Sequence, residues 1–440
     1  MVRGYPQGIL VSASEGELLP SGAHLLALGL EMKIAIIGAG VVGVTTAYML
    51  ARQGHDVSVF DREPAPAMES SFANGGQLSY GFASPMGTPS LVSKIPGILL
   101  GSDPAFRLPS SISLEFLNWS MKFLGHCRAK VSTRDAARLS DLAVQSGQVF
   151  RGILRDTDFE FGHRSASKLV LLKSKSDLEK AQKSLTPQPP NTAKRVCSWD
   201  ECLDLEPALK TYTGEASGGL FVDGDEVGDA ARFSEQLVDL CQRQLGVRFH
   251  FNANVTEVRS IARGGHEIVL ASEDSHGCDA VVLCTGVAGT KLLRQLKIKL
   301  PIYPVMGYSL TAPVGGHAPE IAVTDAGYKI VFSRIGDQIR IAGFADFGIA
   351  SEERRRQRIQ ELINTARRLV PDIADYSQIK STWIGARPAT PSSLPIVGQT
   401  KSPGVYLNMG HGMFGWTLSA GAAQQLADLI GPASQVSQAA

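Results

Sequence analysis

The sequence has little excess charge, few cysteines and no long apolar run, and each lack excludes a class of protein. Its 43 lysines and arginines balance 42 acidic residues, and the net charge of +1 offers no basic field for nucleic acid. The six cysteines form no C-x-x-C pair and no metal-ligand spacing, which predicts no metal site and reduced thiols in a cytoplasmic setting. No stretch approaches the ~18 uninterrupted apolar residues of a membrane span. The 440 residues, 44% of them apolar, predict two domains or one large composite with ample core.

Residues 1–31 differ from the rest of the chain in composition, because Gly, Ser and Leu dominate them. Arg3 is the only basic residue, and no small-residue cleavage site follows the apolar patch at residues 25–30, which argues against a signal peptide. The first predicted strand begins directly after Met32. We therefore predict a disordered or loosely packed extension, with Met32 as a candidate natural start.

What the sequence does contain is a βαβ pattern over residues 33–62, KIAIIGAGVVGVTTAYMLARQGHDVSVFDR. It predicts a buried parallel strand at 33–37, a helix over 44–53 and a second strand at 56–60. Between strand and helix stands a G-x-G-x-x-G motif. Its glycines permit a tight turn, the approach of a diphosphate to the backbone, and close packing of helix on sheet, in the order Gly38, Gly40 and Gly43.

The ends of this unit indicate a dinucleotide. Free N–H groups at the start of the helix, around Val41 and Val42, are expected to face the diphosphate. Asp61, followed by Arg62, ends the second strand, where a carboxylate can accept hydrogen bonds from ribose hydroxyls. An acid favours a free 2′-hydroxyl over a 2′-phosphate, so NADP is disfavoured and NAD and FAD both remain.

Later segments repeat this design and then depart from it. Residues 279–285 predict another buried strand, which ends at Thr285 and Gly286, and residues 405–408 predict a strand before a second glycine turn and a helix starting near Thr417. One parallel sheet assembled from distant segments explains both glycine turns. Residues 302–345 alternate in short runs, which predicts an antiparallel sheet.

Two connections after the βαβ unit are less defined. Residues 70–76 are small, polar and glycine-rich, which suits a loop-to-helix turn whose amides meet a ligand. Residues 85–110 mix Pro, Gly and Ser with apolar groups. They are either a core connection, which we favour slightly, or an exposed apolar surface for a membrane or a quinone. Helices are predicted within 112–155 and over 351–369.

These motifs, with ESSFANGGQLS, WIGARPATPSSLPIVG and GHGMFGW, resemble the D-amino-acid oxidase superfamily over residues 32–430, and within it the small subunit of bacterial D-amino-acid dehydrogenases. The resemblance implies an α/β fold with a discontinuous, Rossmann-like FAD-binding domain of the glutathione-reductase type. It also implies an α+β substrate domain with an antiparallel sheet. The expected FAD domain comprises 32–86, 225–300 and 385–432, and the substrate domain 87–224 and 301–384.

The resemblance selects FAD as the cofactor and implies its contacts. Val255 corresponds to a residue whose backbone meets adenine, and the turn after Met409 corresponds to one that lies near the isoalloxazine edge. The expected cofactor-binding residues are Gly38, Gly40, Val41, Val42, Gly43, Asp61, Arg62, Ser71, Asn74, Gly75, Gly76, Gln77, Val255, Thr285, Gly286, Gly410, Gly412, Met413, Phe414, Gly415, Trp416 and Thr417.

Four residues are candidates for the reaction itself. Arg387 resembles the arginine that clamps the substrate carboxylate in related glycine oxidases, and the alternative is a structural ion pair. Tyr308 and Tyr328 either hydrogen-bond the substrate or close the pocket, or they are packed tyrosines. His411, in the second glycine turn, either tunes the flavin or shapes the loop.

The resemblance implies oxidative deamination of D-amino acids to 2-oxo acids and ammonia, by hydride transfer from Cα to flavin N5. The expected partners are a small D-amino acid or imino acid and a quinone or other non-oxygen acceptor, with peripheral contact to the inner membrane and no nucleic acid. Alternatives are a glycine, sarcosine or D-amino-acid oxidase that uses oxygen, a D-hydroxyproline or D-proline dehydrogenase, and a non-catalytic flavin-binding redox partner. The oligomeric state is left open.

Overall fold

The computed structural model describes residues 31–185, 194–262 and 264–433, so the predicted extension up to residue 30 lies outside it. The described strands are β1 (Lys33–Ile37), β2 (Asp56–Phe60), β3 (Gln77–Leu78), β4 (Phe106–Arg107), β5 (Arg164–Ser165), β6 (Lys168–Leu172), β7 (Lys194–Ser198), β8 (Gly218–Val222), β9 (Glu226–Val227), β10 (Arg248–His250), β11 (Val255–Ser260), β12 (His266–Leu270), β13 (Ser275–Cys278), β14 (Ala280–Leu283), β15 (Tyr303–Pro313), β16 (Ala322–Asp325), β17 (Ile330–Ile335), β18 (Gln338–Phe347), β19 (Ser381–Ala389), β20 (Ile396–Gln399) and β21 (Val405–Met409). The α-helices are α1 (Val41–Arg52), α2 (Pro89–Val92), α3 (Ile95–Leu99), α4 (Leu114–His126), α5 (Ala129–Arg155), α6 (Lys175–Ser184), α7 (Trp199–Leu205), α8 (Ala230–Leu245), α9 (Thr290–Gln295), α10 (Glu352–Leu369) and α11 (Gly415–Ile430).

A six-stranded sheet in the order β10-β2-β1-β14-β21-β20 organises the dinucleotide half of the molecule. All neighbouring strands run parallel except the edge strand β20, which pairs antiparallel with β21. The carboxyl ends of the parallel strands therefore meet at one edge of the sheet, which is where ligands bind in open α/β sheets.

The alternation of side chains along β1 explains the two layers that cover this sheet. Ile34 and Ile36 pack into a cluster formed with helices α1, α5, α8 and α11. Ala35 and Ile37 pack on the opposite face, against the three-stranded meander β11-β12-β13. Each fully buried Ile or Val contributes roughly 1.5–3 kcal/mol relative to an exposed one. This burial on both faces is why β1 is apolar throughout.

A second sheet of nine strands has the order β19-β15-β18-β17-β16-β6-β8-β7, with β4 added beside β18. It is antiparallel except for the pairs β16–β6 and β18–β4. Helix α10 covers one face through Leu362, Ala366 and Leu369, which pack with Tyr308 and Leu310 of β15. The other face is turned toward the end of the parallel sheet. The predicted combination of a Rossmann-like unit and an antiparallel sheet is confirmed, and the exact domain boundaries stay a prediction.

The structure corrects several local predictions. Residues 85–110 are a core connection only in part: Ala105 and Phe106 are buried at β4, whereas α2 and α3 bury no residue and Leu99 and Leu100 are 64% and 85% exposed. Residues 70–76 lead into strand β3 rather than into a helix. Helix α11 begins at Gly415, two residues before the predicted start. Within the described residues, no helix has the length and apolar character needed to cross a bilayer.

Candidate active site between the two sheets

A cavity of about 870 Å³ lies between the carboxyl ends of the parallel strands and the open face of the antiparallel sheet. Ile37, Phe60, Cys284 and Met409 mark the ends of four parallel strands on its wall. Every residue predicted to bind the cofactor lines it except Gly43. The cavity therefore collects segments that are up to 380 residues apart in the sequence, from Ile37 to Thr417.

The first glycine motif has the three distinct roles expected of it. Gly38 has φ +106°, and a Cβ on it would lie 2.6 Å from the carbonyl oxygen of Cys284. A Cβ on Gly43 would lie 1.8 Å from the carbonyl oxygen of Gly38, so Gly43 acts through packing behind the cavity wall. At Gly40 the nearest atom, Ser71 Oγ, is 3.4 Å away, which leaves room for a ligand to approach the backbone.

Asp61 closes the dinucleotide end of the cavity. Its Oδ2 accepts a hydrogen bond from the N–H of Ala39 at 2.5 Å, and its Oδ1 accepts from the N–H of Glu63 at 2.9 Å. Burial raises the pKa of this carboxyl group, while the two N–H donors oppose the rise. The carboxylate is thereby held rigidly at the end of β2, where it can accept from ribose hydroxyls.

Side chains of the antiparallel sheet fix the turn at residues 73–75. Ser309 Oγ donates to the carbonyl of Ala73 at 2.6 Å, and Ser333 Oγ donates to the carbonyl of Gly75 at 2.7 Å. Between them, Arg340 donates from Nη1 to the carbonyl of Asn74 at 3.1 Å. Arg340 is itself held by Asp229 at 3.0 Å, the N-cap residue of α8. Three successive carbonyls are thus turned toward the sheet, which fixes the orientation of the peptide planes on the cavity wall.

Replacing Ser333 with alanine is expected to raise the dissociation constant of FAD about tenfold, because the buried carbonyl of Gly75 loses its donor, at a cost of about 1–3 kcal/mol. Titration of apo-protein with FAD, followed by flavin fluorescence, measures the constant. Ser377→Ala, which removes a hydroxyl bonded to Asp375 on the exposed surface, is the matched control. An unchanged FAD affinity in Ser333→Ala would show that the turn holds its shape without this bond.

Arg387 lies on β19 and presents a guanidinium group to the cavity. Its Nη1 donates to the carbonyl of Phe344 at 2.8 Å. Gly307 makes space for it, since a Cβ there would lie 2.2 Å from Nη2. Phe344 has φ +63°, an unusual conformation for a bulky residue, beside the irregularity between Met306 and Tyr308.

Arg387 has no carboxylate within 4.0 Å among the described residues, whereas the neighbouring carboxylate of Asp346 is already bound by Arg358 at 2.9 Å. Burial lowers the pKa of the Arg387 guanidinium, but an arginine remains protonated at any physiological pH. A charged fork without an anionic partner is therefore available in the cavity, and the alternative of a structural ion pair is not seen.

The other three predicted catalytic residues are placed differently from one another. Tyr308 lines the cavity, but its hydroxyl donates to Asp346 at 2.9 Å in the buried network with Arg358. Tyr328 does not line the cavity and packs against Arg368, whose guanidinium lies 5.3 Å from the ring centre. His411 lines the cavity and is 3% exposed, and burial lowers its pKa to about 3, so its imidazole is neutral.

Three buried polar atoms on the cavity wall have no hydrogen-bond partner among the described residues: Gln77 Nε2, Asn408 Oδ1 and His411 Nε2. Unpaired buried polar groups are rare in folded proteins, because each costs about 1–3 kcal/mol. Donors and acceptors in this arrangement fit the polar edge of a flavin ring. Asn408, at the end of β21, was missed by the sequence analysis, and its place within an otherwise apolar buried strand was the signal.

Four lysines on the wall were also missed: Lys94, Lys168, Lys291 and Lys329. Lys168 stands at the start of the apolar strand KLVLL and is 5% exposed, which is unusual for a lysine. Lys329 follows the turn between β16 and β17. Lys168 and Lys329 reach the cavity through pairing of distant strands, which the sequence pattern does not specify.

Comparisons with known proteins agree with this site. A model of the FAD-dependent oxidoreductase family, DAO, matches residues 33–429. The D-amino acid dehydrogenase of Chromohalobacter salexigens is 36% identical over 405 residues, 91% of this chain and 96% of the relative. The enzyme of the same name from Neisseria meningitidis serogroup C is 36% identical over 407 residues, with the same coverage. Among solved structures, glycine oxidase from Geobacillus kaustophilus gives a TM-score of 0.70 at 19% identity, over 91% of this chain and 95% of that one.

The match of the family model over nearly the whole described chain, and the two relatives above, confirm the resemblance that the motifs indicated. The residues around the cavity fit a flavin dinucleotide. This chain belongs to the DAO family of FAD-dependent oxidoreductases, and FAD is its cofactor.

Proposed function

We propose that this chain is a D-amino-acid dehydrogenase, which converts D-amino acids into 2-oxo acids and ammonia and passes the electrons to an acceptor other than oxygen. The observation that carries the proposal is the unpaired guanidinium of Arg387 in the cavity. A planar fork of N–H donors matches a carboxylate bidentately, and an amino acid has one carboxylate at a fixed distance from its Cα. Relatives with this name match the whole catalytic region.

FAD, when bound, supplies the hydride acceptor, so the protein's tasks are binding, orientation and exclusion of water. Arg387 fixes the carboxylate, and its bond to the carbonyl of Phe344 keeps the fork from rotating. Neutral His411 offers an unpartnered Nε2 as a single donor or acceptor. The N-terminus of α11 at Gly415 supplies a positive potential at the same wall. We propose that the residues predicted to bind the cofactor contact FAD, except Gly43, which acts only through packing.

Anaerobic mixing of purified holo-protein with D-amino acids tests this function. We expect loss of the flavin's visible absorbance with D-amino acids and none with the L-enantiomers. Re-oxidation in air should be slow and yield little peroxide, while a soluble quinone should restore the colour rapidly. Rapid peroxide formation would instead establish an oxidase, and reduction by D-proline or D-hydroxyproline alone would establish that narrower dehydrogenase. No bleaching by any amino acid would leave a flavin-binding redox partner.

The acceptor is proposed to be a quinone reached at a membrane surface. Helix α4 exposes Leu114, Leu117, Met121 and Leu124, which recur at helical spacing and lie 44–80% exposed. Leu99 and Leu100, which precede α4 in the chain, are also exposed. We refer to the exposed apolar side chains at 99–124 as the apolar face. Monomers rarely expose such a contiguous apolar group without a binding role.

Charge supports an anionic bilayer as the occupant of the apolar face. Between residues 89 and 130, Lys94, Lys122, Arg128 and Lys130 are exposed, whereas Glu115 is the only exposed carboxylate. Cations at the edge of an inserted apolar surface are attracted to anionic headgroups, at about 1 kcal/mol each. Met86, Leu91 and Lys94, which precede the apolar face in the chain, line the cavity. An acceptor leaving the bilayer would therefore meet the cavity directly.

The double substitution Leu114→Ser with Met121→Ser is expected to abolish flotation with vesicles of phosphatidylcholine and phosphatidylglycerol, because it removes the two most exposed side chains of α4. Wild-type protein should float with these vesicles and less with phosphatidylcholine alone. Leu429→Ser, on the exposed side of α11, is the matched control. Flotation that persists in the double variant, or that never occurs in the wild type, would contradict the proposed face.

A further inference from the structure

The substrate half of the cavity carries an excess of positive charge that one substrate carboxylate does not neutralise. Among the cavity-lining residues within 79–106, 168 and 307–388, the cations are Lys94, Lys168, Lys329 and Arg387, and Asp103 is the one carboxylate. The lysines that do form ion pairs among the described residues are Lys173, Lys180 and Lys380, all outside the cavity. The three cavity lysines thus have no carboxylate within 4.0 Å.

Lys329 approaches the cavity beside Arg387. Its carbonyl oxygen lies 3.0 Å from the position that a Cβ of Gly343 would occupy, and Ile330 pairs with Gly343 in the sheet. The next residue, Phe344, is the one whose carbonyl accepts the hydrogen bond from Arg387. Strands β19 and β17 are separated by β15 and β18, and Arg387 and Lys329 approach the same part of β18, at Phe344 and Gly343, from its two sides.

The nearby carboxylate of Asp325 is already occupied. It accepts from the hydroxyl of Tyr212 at 2.7 Å and from the N–H groups of Gly327 and Tyr328 at 2.8 and 2.9 Å. Surrounding protein lowers the pKa of the Lys329 ammonium, and Lys94 lowers it further by repulsion. A second anion in the cavity would oppose both effects, since it favours the charged form of Lys329.

Lys168 is the buried one of the three lysines and has a partner within the protein. Its Nζ donates to Ser79 Oγ at 2.7 Å and lies 5.2 Å from the centre of the Phe82 ring. Lys329, and Lys94 toward the entrance, are therefore the two lysines of this group whose ammonium groups form no hydrogen bond or ion pair within the described residues. Both side chains are accessible from the cavity, and an anionic substrate side chain gains a favourable electrostatic interaction with them that a neutral one does not.

We infer that the enzyme prefers D-amino acids with an anionic side chain, such as D-glutamate or D-aspartate, because Arg387 takes the α-carboxylate and Lys329 takes the side-chain carboxylate. This inference rests on the proposed function and names the class of substrate for it. Lys329 is a specificity-determining residue in this assignment, and Lys94 adds to the potential that draws a dianionic substrate into the cavity.

D-glutamate and D-glutamine are the decisive pair of substrates, since they have the same shape and differ in charge. We expect kcat/KM for D-glutamate to exceed that for D-glutamine about tenfold or more, measured on the holoenzyme with a soluble quinone. Lys329→Gln should lower the D-glutamate value about tenfold through KM and leave D-glutamine within about twofold. Lys173→Gln, which removes an exposed lysine outside the cavity, should change neither.

Calorimetry with glutarate and butyrate provides a readout that does not depend on turnover. Wild-type holoenzyme should bind glutarate more tightly than butyrate, and Lys329→Gln should lose that difference. Equal or better turnover of D-glutamine, or an equal loss of both substrates in Lys329→Gln, would overturn the inference while the proposed function stands. If no D-amino acid bleaches the flavin, the proposed function fails and this inference fails with it.

Discussion

Arg387→Ala should lower kcat/KM for a D-amino acid by roughly 30-fold to several thousand-fold and leave the FAD content of the protein unchanged. Removing one partner of a buried, hydrogen-bonded charge pair costs about 2–5 kcal/mol, and here the pair is the guanidinium and the substrate carboxylate. Most of the loss should appear as a higher KM. Steady-state kinetics with a soluble acceptor and the flavin absorbance of the same preparation measure both quantities.

Two controls make the Arg387 result specific. Arg387→Lys keeps the charge but not the fork, so its kcat/KM should fall between those of the wild type and the alanine variant. Arg334→Ala removes a partly exposed arginine of β17 that pairs with Glu320 outside the cavity, and should have little effect. Kinetics like those of the wild type in Arg387→Ala would remove this residue from substrate binding, and loss of flavin would move it to a structural role.

Asp346→Asn should destabilise the folded protein by about 3–5 kcal/mol, because it leaves the buried arginine Arg358 with only the half-exposed Glu361 as an anionic partner. Asp346 receives hydrogen bonds from Arg358 Nε at 3.0 Å and Nη2 at 2.9 Å, and both side chains are 2% exposed. Tyr308 donates to the same carboxylate. Denaturant unfolding with saturating FAD measures the difference in free energy of unfolding.

Glu361→Gln is the matched control for this pair. Glu361 also contacts Arg358, but its side chain is 48% exposed, so water can replace it and the expected loss is less than about 1 kcal/mol. Equal losses in the two variants would show that burial does not distinguish these ion pairs. This network also contacts the active site. The guanidinium of Arg358 lies 4.0 Å from the ring centre of Phe344, whose carbonyl binds Arg387.

The sequence allowed prediction of the features that depend on local backbone chemistry. Residues close together in the chain determine the turn at Gly38 and the position of the carboxylate of Asp61. Arg387 was found through its motif. The structure then shows, independently, that it lines the cavity without an anionic partner.

The sequence did not allow prediction of features set by strand pairing. The hydroxyl of Tyr308 turns to Asp346, 38 residues away, and not to the cavity. Lys329 reaches the site only because β17 pairs with β18 in one particular register. The exposed residues at 99–124 contain enough apolar side chains to suggest a core, and only the neighbouring elements decide which of them are covered.

The strand order of the parallel sheet has a consequence for biosynthesis. β21, at residues 405–409, lies between β14 and β20 and is fully buried, yet it is almost the last strand to be translated. Until β21 has been synthesised, the earlier strands β1, β2 and β14 can form only part of the sheet, and the edge of β14 that will pair with β21 stays open. Unpaired strand edges favour aggregation. Chaperone demand during synthesis should accordingly end only when α11 has emerged and packed against α1.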